Sequence, residues 1–311
     1  PLIFLQLIMS RLPGNSRIVG TELLRLSSAH AKGTSQVTID PRAGAAILEY
    51  SSVDNGATIN WFQPADTINQ ACFVMVPFCS RIANGTFSFA GQAITLPANL
   101  PGESNAIHGH GFQRIWRVDK TAEHSTRLSY THEAGDWPWT YRCEQTLRLD
   151  GEQLSIALEL SNLSDSPMPY GMGLHPYFPK NEGLVVTANV ASHLRLNDQL
   201  LPAELDSLPS ALNLQDGLRL NKQALDNVFC GWQHTLELHW PGLQRRLLLE
   251  ASDQCNHLVI WSPLGESFCC VEPVSNLPDG FNQRSVLPDA FSTLLPGQHC
   301  RMTFRFTPAH N

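Results

Sequence analysis

Apolar and polar positions alternate along most of this chain with a period of two, the signature of strands that bury one face. Leu154, Ile156, Leu158 and Leu160 alternate with Ser155, Ala157 and Glu159, and just upstream Tyr141, Cys143, Leu147 and Leu149 fall on one face of a second run. Between the two sits Asp150-Gly151, both of which tolerate positive φ and so favour the tight turn of an antiparallel hairpin. The same half-buried pattern recurs at Leu236, Leu238 and Trp240, and at Met302, Phe304 and Phe306 after a Leu295-Pro296-Gly297 turn. Residues 85–96 read as another hairpin, turning at Ala90-Gly91. Helical spacing is scarce: Leu200 to Leu225 can hold short turns or helices, interrupted by Pro202 and Pro209. Many short strands with few helices predict an all-β fold, either two antiparallel sheets packed face to face or a barrel.

Composition narrows the partners. The 311 residues show no linker and are expected to form a single domain, long enough to need no disulfide or structural metal. Lys plus Arg number 21 against 28 Asp plus Glu, a net charge of −7 without long basic runs, which is the wrong sign for a nucleic-acid partner. Charged residues make up only 16%, with 21 Gly and 21 Pro, so turns and neutral polar surface are abundant, as suits a cleft that reads hydroxyl groups. The eight cysteines include no Cys-x-x-Cys spacing and read as small buried hydrophobes of a reducing, cytoplasmic protein. The opening PLIFLQLIM is apolar but lacks a basic leader and a clear cleavage site, and is too short to cross a bilayer. Residues 1–8 are therefore expected to be a disordered extension or an artefact upstream of a true start at Met9, with an edge strand as the alternative and no membrane association.

The candidate chemistry lies in three separated fragments: Ile107-His108-Gly109-His110-Gly111-Phe112-Gln113, Gly173-Leu174-His175-Pro176-Tyr177-Phe178, and Cys270-Val271-Glu272-Pro273-Val274-Ser275-Asn276. Each sets an ionisable side chain beside aromatics in a segment punctuated by Gly or Pro. With Ser80-Arg81-Ile82-Ala83-Asn84-Gly85 upstream and Leu225-Asp226-Asn227-Val228-Phe229 between the second and third, their order resembles the aldose 1-epimerase (galactose mutarotase) family from about Gly33 to Pro308. The resemblance implies a large, twisted antiparallel β-sandwich with a monosaccharide lying across a concave sheet. It also implies a cofactor-free isomerase, monomeric or homodimeric, that interconverts the α and β anomers of a free aldohexose or related sugar.

That reaction takes a proton from the C1 hydroxyl and gives one to the ring oxygen, so it calls for two proton-transfer groups, expected on opposite sides of the ring. On the resemblance, Glu272 is the base at C1, at a strand end where partial desolvation raises a carboxyl pKa. His175 is the acid at the ring oxygen, and His108 assists there. Without the resemblance, Glu272 reads equally as an exposed turn residue and His175 as a packed core histidine. Arg81 and Asp226 match the family's hydroxyl-binding pair, a fork of donors and a two-oxygen acceptor, and Asn84, His110, Tyr177 and Trp261 complete the expected substrate-binding set. Further aromatic platforms could come from Trp61, Trp116 or Phe281, each with core packing as the default. A His108-x-His110 pair on a strand would point both rings to one face and can bind a metal, but residues 111–117 lack the acidic partner of a cupin site, so no metal is expected.

The chain departs from the family pattern where Val259 stands in place of a glutamine and Trp261 in place of a tyrosine, so galactose specificity does not carry over. Three other readings remain: a hexose-6-phosphate mutarotase using Arg114 and Arg117, a non-catalytic sugar-binding or sensor module, and a glycoside hydrolase with Asp226 as its second carboxylate.

Overall fold

The computed structural model describes residues 22–64, 69–180, 183–220, 224–284, 287 and 289–310. The expectation for residues 1–8 lies outside them. An eleven-stranded and a nine-stranded antiparallel sheet dominate, with three small two-stranded sheets beside them. They form a β-sandwich, as the alternation and the family resemblance implied.

The predicted strands recur with small shifts. Tyr141–Asp150 and Gln153–Asn162 form the expected hairpin, but Asp150 pairs with Gln153, so the turn residues are Gly151 and Glu152 rather than Asp150 and Gly151. The glycine takes the first turn position at φ +58°, and its N–H donates to Ser28 Oγ at 2.9 Å, holding Asp150 in the ladder. The Ala90-Gly91 turn is as expected: Phe89 pairs with Gln92, and both turn residues have positive φ. Between Leu200 and Leu225 two stretches differ from the expectation of turns or helices: Pro202–Asp206 is a strand at the end of the large sheet, and Leu218–Arg219 is a short strand at the end of the smaller one. A proline at the start of an edge strand leaves the ladder intact, since its missing N–H can lie on the unpaired side.

Five neighbouring strands of the large sheet position the candidate site: Cys72–Met75, Gly173–Pro179, Phe268–Val274, His257–Ser262 and Leu225–Cys230, in that spatial order. Their alternate residues serve two cores. Val74, Leu174, Cys269, Val271 and Ile260 join the apolar interior shared with the smaller sheet. Phe73, Tyr177, Cys270, Val259 and Val228 lie in a second apolar cluster on the other face, with Phe112, Leu277 and Leu287. Buried on both faces, these strands read as continuous apolar runs, so the ionisable residues within them stand out.

Candidate active site

Side-chain alternation sends His175 and Glu272 to the second, non-shared face of the large sheet. Gly173 pairs with Val274 and Tyr177 with Cys270, which brings His175 level with Glu272 on the next strand. His175 Nε2 lies 3.2 Å from Glu272 Oε1, with the two residues only 6% and 3% exposed. The two groups do not stand on opposite sides of a ring-sized gap, as expected; they are cross-strand neighbours, and the antiparallel register sets their contact. Glu272 also sits inside its strand rather than at its end, and its burial is nearly complete.

Burial dominates the electrostatics. It pushes the Glu272 carboxyl well above its ordinary value; the Asp226 charge adds to this and Arg81 opposes it. Burial also pulls the His175 imidazole down to about 3. Both shifts favour uncharged forms, so the pair holds one transferable proton, on the carboxyl. Phe73 stacks on the His175 ring at 4.5 Å and Tyr177 at 4.9 Å, which fixes the imidazole plane. Trp261 stands edge-on to both His175 and Tyr177 at 6.4 Å, half-buried, where a sugar's C–H face could rest on it.

His108 enters from a loop. The strand Ala106–Ile107 ends before it, and His108 and Gly109 both take positive φ, +57° and +67°. A side chain on Gly109 would collide with the Val76 carbonyl, to which the N–H groups of His110 and Gly111 donate at 3.0 and 3.1 Å. The His108 N–H donates to the Ser80 carbonyl at 2.9 Å, and the Ser80 N–H donates to His108 Nδ1 at 3.2 Å. Nδ1 is thus an acceptor, the proton sits on Nε2, and burial, then the neighbouring His175 and Arg81, pull the ring well below its ordinary value, so it stays neutral. Its ring lies 5.2 Å from that of His175.

The same turn delivers Arg81, which pairs opposite Ile107 and whose guanidinium binds the Glu103 carboxylate at 2.9 Å. Asp226 pairs opposite Trp261 on the adjoining strand; burial raises its pKa, with Arg81 lowering it and Glu103 raising it. Asn84 and Arg81 line one cavity, which does not include His175 or Glu272.

One further expectation, a shared face for the two histidines, is not met, while the aromatics take their default core positions and two alternatives find no support. His110 does not share a face with His108: the positive-φ residues swing it away, its Nε2 shares a hydrogen bond with Tyr141 Oη at 2.8 Å, and its ring packs 4.3 Å from that of His132. Trp61, Trp116 and Phe281 belong to the shared interior. Arg114 lies beside Tyr130, His110 and His132, and Arg117 binds Asp119 at 2.6 Å. A His108–His110 metal site is therefore not formed. Among the described residues, the donors that do converge are His175, Cys270 and Glu272, with ligand atoms within 4.8 Å of one another. The Cys270 thiol is pushed well above its ordinary value by burial, then by the Glu272 charge, so it stays protonated rather than offering a thiolate.

Two asparagines that carried no sequence signal of chemistry hold these parts in place. Asn276 accepts from the Cys79 N–H at 2.8 Å and donates to the Cys79 carbonyl at 3.0 Å, tying the Glu272 segment to the turn bearing Arg81. Asn99 accepts from the Ile107 N–H at 2.8 Å and donates to the carbonyls of Ile107 and Gly109 at 2.7 and 2.6 Å, clasping the His108 loop. Asn276 lies inside one of the recognised fragments, whereas Asn99 belongs to none.

Comparison with known proteins identifies the family and the fold. Residues 26–307 match the family described as aldose 1-epimerase. The uncharacterised protein YphB of Escherichia coli K12 is 27% identical over 217 residues, covering 67% of this chain and 74% of YphB. A crystal structure of a putative aldose 1-epimerase from Escherichia coli K12 superposes with a TM-score of 0.83 at 22% identity, over 94% of this chain and all (100%) of that one. A galactose mutarotase-like protein from Clostridium acetobutylicum gives 0.80 at 17% identity, over 94% of this chain and 100% of its own. At these identities the two structures show the shared fold.

Proposed function

The chain belongs to the aldose 1-epimerase family, and we propose that it is a mutarotase for a free aldose, with Glu272 and His175 moving the protons. The observation that carries this reading is the direct contact of a buried imidazole with a buried carboxyl, 3.2 Å apart. The C1 hydroxyl oxygen and the ring oxygen are bonded to the same carbon, so two groups side by side on one sheet face can reach both at once. Opposed groups are not required.

The proposed cycle conserves protons. Transfer within the pair gives a Glu272 carboxylate and a His175 imidazolium. The carboxylate takes the C1 hydroxyl proton, the C1–ring oxygen bond breaks with its electrons going to the ring oxygen, and the imidazolium protonates that oxygen. A C1 aldehyde results, rotates about its bond to C2, and closes by the reverse steps on its other face. The dyad starts and ends with one proton and resets across its own contact.

The surrounding residues have defined parts in this reading. Arg81 draws the Glu272 value down and so favours the carboxylate when it is needed. The neutral His108, with its proton on Nε2, donates to the sugar near the ring oxygen. Arg81 and Asp226 bind hydroxyls, Asn84 extends that polar wall, and Tyr177 and Trp261 face the apolar side of the ring. The pattern suits a free sugar better than a phosphorylated one, since Arg114 and Arg117 are engaged elsewhere. The retained proton-transfer pair also distinguishes it from a pure binding module, and the whole-chain unit remains our reading of its domain organisation.

Polarimetry of freshly dissolved α-glucose and α-galactose tests the activity. Acceleration over buffer is expected, and His175→Asn is expected to lower it by about 10²- to 10⁴-fold, the usual contribution of a general acid or base. Absence of acceleration across a broad panel of aldoses would refute the proposal.

A further inference from the structure

The proton-transfer dyad has a third neighbour that the mutarotase cycle leaves idle. Cys270 and Glu272 alternate along one strand and His175 lies on the next, so all three side chains reach the same face of the large sheet. One nitrogen, one sulfur and one carboxylate oxygen lie within 4.8 Å of one another, with His175 Nε2 and Glu272 Oε1 3.2 Å apart. We propose that these three residues form a binding site for a thiophilic divalent cation, zinc above all, and that its occupation arrests mutarotation. The arrest rests on the mutarotase reading above, whereas the binding does not.

The spacing suits the ion. Zinc bonds sulfur at about 2.3 Å and nitrogen or oxygen at about 2.0–2.2 Å, so donors at tetrahedral angles stand about 3.4–3.6 Å apart. Shifts of about 1 Å bring the three donors here to that spacing. The sheet allows them, because Pro176 and Pro273 interrupt the ladder between the Gly173–Val274 and Tyr177–Cys270 pairs. Three protein donors leave one position of a tetrahedral ion for water or a sugar hydroxyl. A mixed nitrogen, sulfur and oxygen set selects zinc over magnesium and calcium, which take oxygen ligands.

Charge balance favours the exchange. Burial keeps Cys270 and Glu272 protonated and His175 neutral, so the trio carries no net charge. A divalent ion deprotonates the thiol and the carboxyl that it coordinates. Two protons therefore leave as one dication enters, with bonds forming from Cys270 Sγ, a Glu272 oxygen and a His175 ring nitrogen. The buried complex is again neutral and needs no counter-ion, the condition under which buried charge is tolerated. Asp226, whose charge reaches both Cys270 and Glu272, adds a negative field that draws the cation in. Arg81, the opposing cation, is engaged by Glu103 at 2.9 Å. The ion replaces the proton that the dyad would pass to the sugar, so a site holding metal cannot run the cycle.

Titration of the chelator-treated protein with Co²⁺, a spectroscopically visible substitute for zinc, tests binding without reference to activity. One equivalent is expected to raise a near-ultraviolet thiolate-to-cobalt absorption band, and Zn²⁺ is expected to bleach it. Cys270→Ser is expected to lose the band and to weaken Zn²⁺ binding at least about 100-fold, since loss of a partner outside the ligand shell alone costs about 10- to 100-fold. Cys270→Ala serves the same purpose should the serine variant fail to fold. Polarimetry with added metal reads the arrest. Lost mutarotation is expected to follow band occupancy one for one, and Mg²⁺ at the same concentration is expected to have no effect. In the Cys270 variants, each scaled to its own metal-free rate, half-inhibition is expected to need at least about 100-fold more zinc. No cobalt band, or a band that persists without Cys270, would overturn the site. A full band with undiminished mutarotation would overturn the arrest. Should the metal-free protein turn over no sugar, the mutarotase reading fails, and the cobalt titration alone decides the site.

Discussion

A glutamate in an unfolded chain ionises near 4.5, whereas burial holds the Glu272 carboxyl to a value well above this in the folded protein. A group with a raised folded pKa stabilises the fold below its unfolded value and loses that contribution as pH rises through its folded value. At pH 7 Glu272 is therefore a liability to the fold. Each unit between 4.5 and the working pH costs about 1.4 kcal/mol, so at pH 7 the cost is limited to roughly 3 kcal/mol. Glu272→Gln has nearly the same shape, its amide can donate to His175 Nε2, and it carries no charge to desolvate or to oppose Asp226. It is expected to be more stable than the parent by about 1–3 kcal/mol at pH 7, and to lose about 10²- to 10⁴-fold in mutarotation. Urea unfolding at a series of pH values measures the first effect and polarimetry the second. The gain must shrink as pH falls toward 4.5, where the unfolded carboxyl also takes up its proton. A variant no more stable than the parent at pH 7, or one whose gain does not change with pH, would refute the argument that burial dominates this carboxyl.

The pH profile of kcat/KM should have no acid limb near 6.5, the ordinary histidine value, because burial pulls His175 to about 3; the one-proton dyad is lost to acid only near there, and to alkali above the raised value of Glu272. An acid limb centred at 6.5 would show that His175 titrates as an open histidine. His110→Phe is expected to leave KM unchanged and to cost about 1 kcal/mol for the lost Tyr141 hydrogen bond, as thermal unfolding and kinetics will show. Asn276→Ala strands the buried Cys79 N–H and carbonyl, and should destabilise by roughly 3 kcal/mol while raising KM, since Arg81 follows two residues later. Gly109→Ala must place a side chain against the Val76 carbonyl at φ +67°; a loss of about 1–3 kcal/mol and of kcat is expected, with His108 displaced.

The fold was legible because alternation encodes which face of a strand is buried, and Leu154 to Leu160 or Met302 to Phe306 state it without ambiguity. What alternation does not encode is the identity of the cover. Trp61, Trp116 and Tyr177 look alike in sequence, yet the first two fill the space between the sheets while Tyr177 faces the other way. The His-x-His spacing misled for a related reason: period two holds only while the backbone stays extended, and His108 and Gly109 leave it. The pairing of His175 with Glu272 depends on register between strands separated by almost a hundred residues of chain, which no local pattern fixes. Asn99 was missed because its contribution is three hydrogen bonds to backbone, and any polar side chain of that size looks the same in one sequence.

The two prolines beside the dyad connect register to chemistry. Pro176 follows His175 and Pro273 follows Glu272, on facing central strands where proline is ordinarily excluded because it offers no ladder donor. The ladder accordingly passes from Gly173 with Val274 to Tyr177 with Cys270, skipping the interval that contains the dyad. The strands stay adjacent, so the side chains remain cross-strand neighbours, while the sheet's own bonding relaxes at that point. Rigid pairing on either side holds the imidazole and carboxyl at 3.2 Å, and the third neighbour, Phe73, pairs opposite His175 and stacks on its ring. A proton relay built this way draws its precision from sheet geometry rather than from loops. His108 and Arg81, to which the proposed reading gives sugar contacts, depend instead on turns, and those turns are the ones that Ser80, Asn99 and Asn276 tie down.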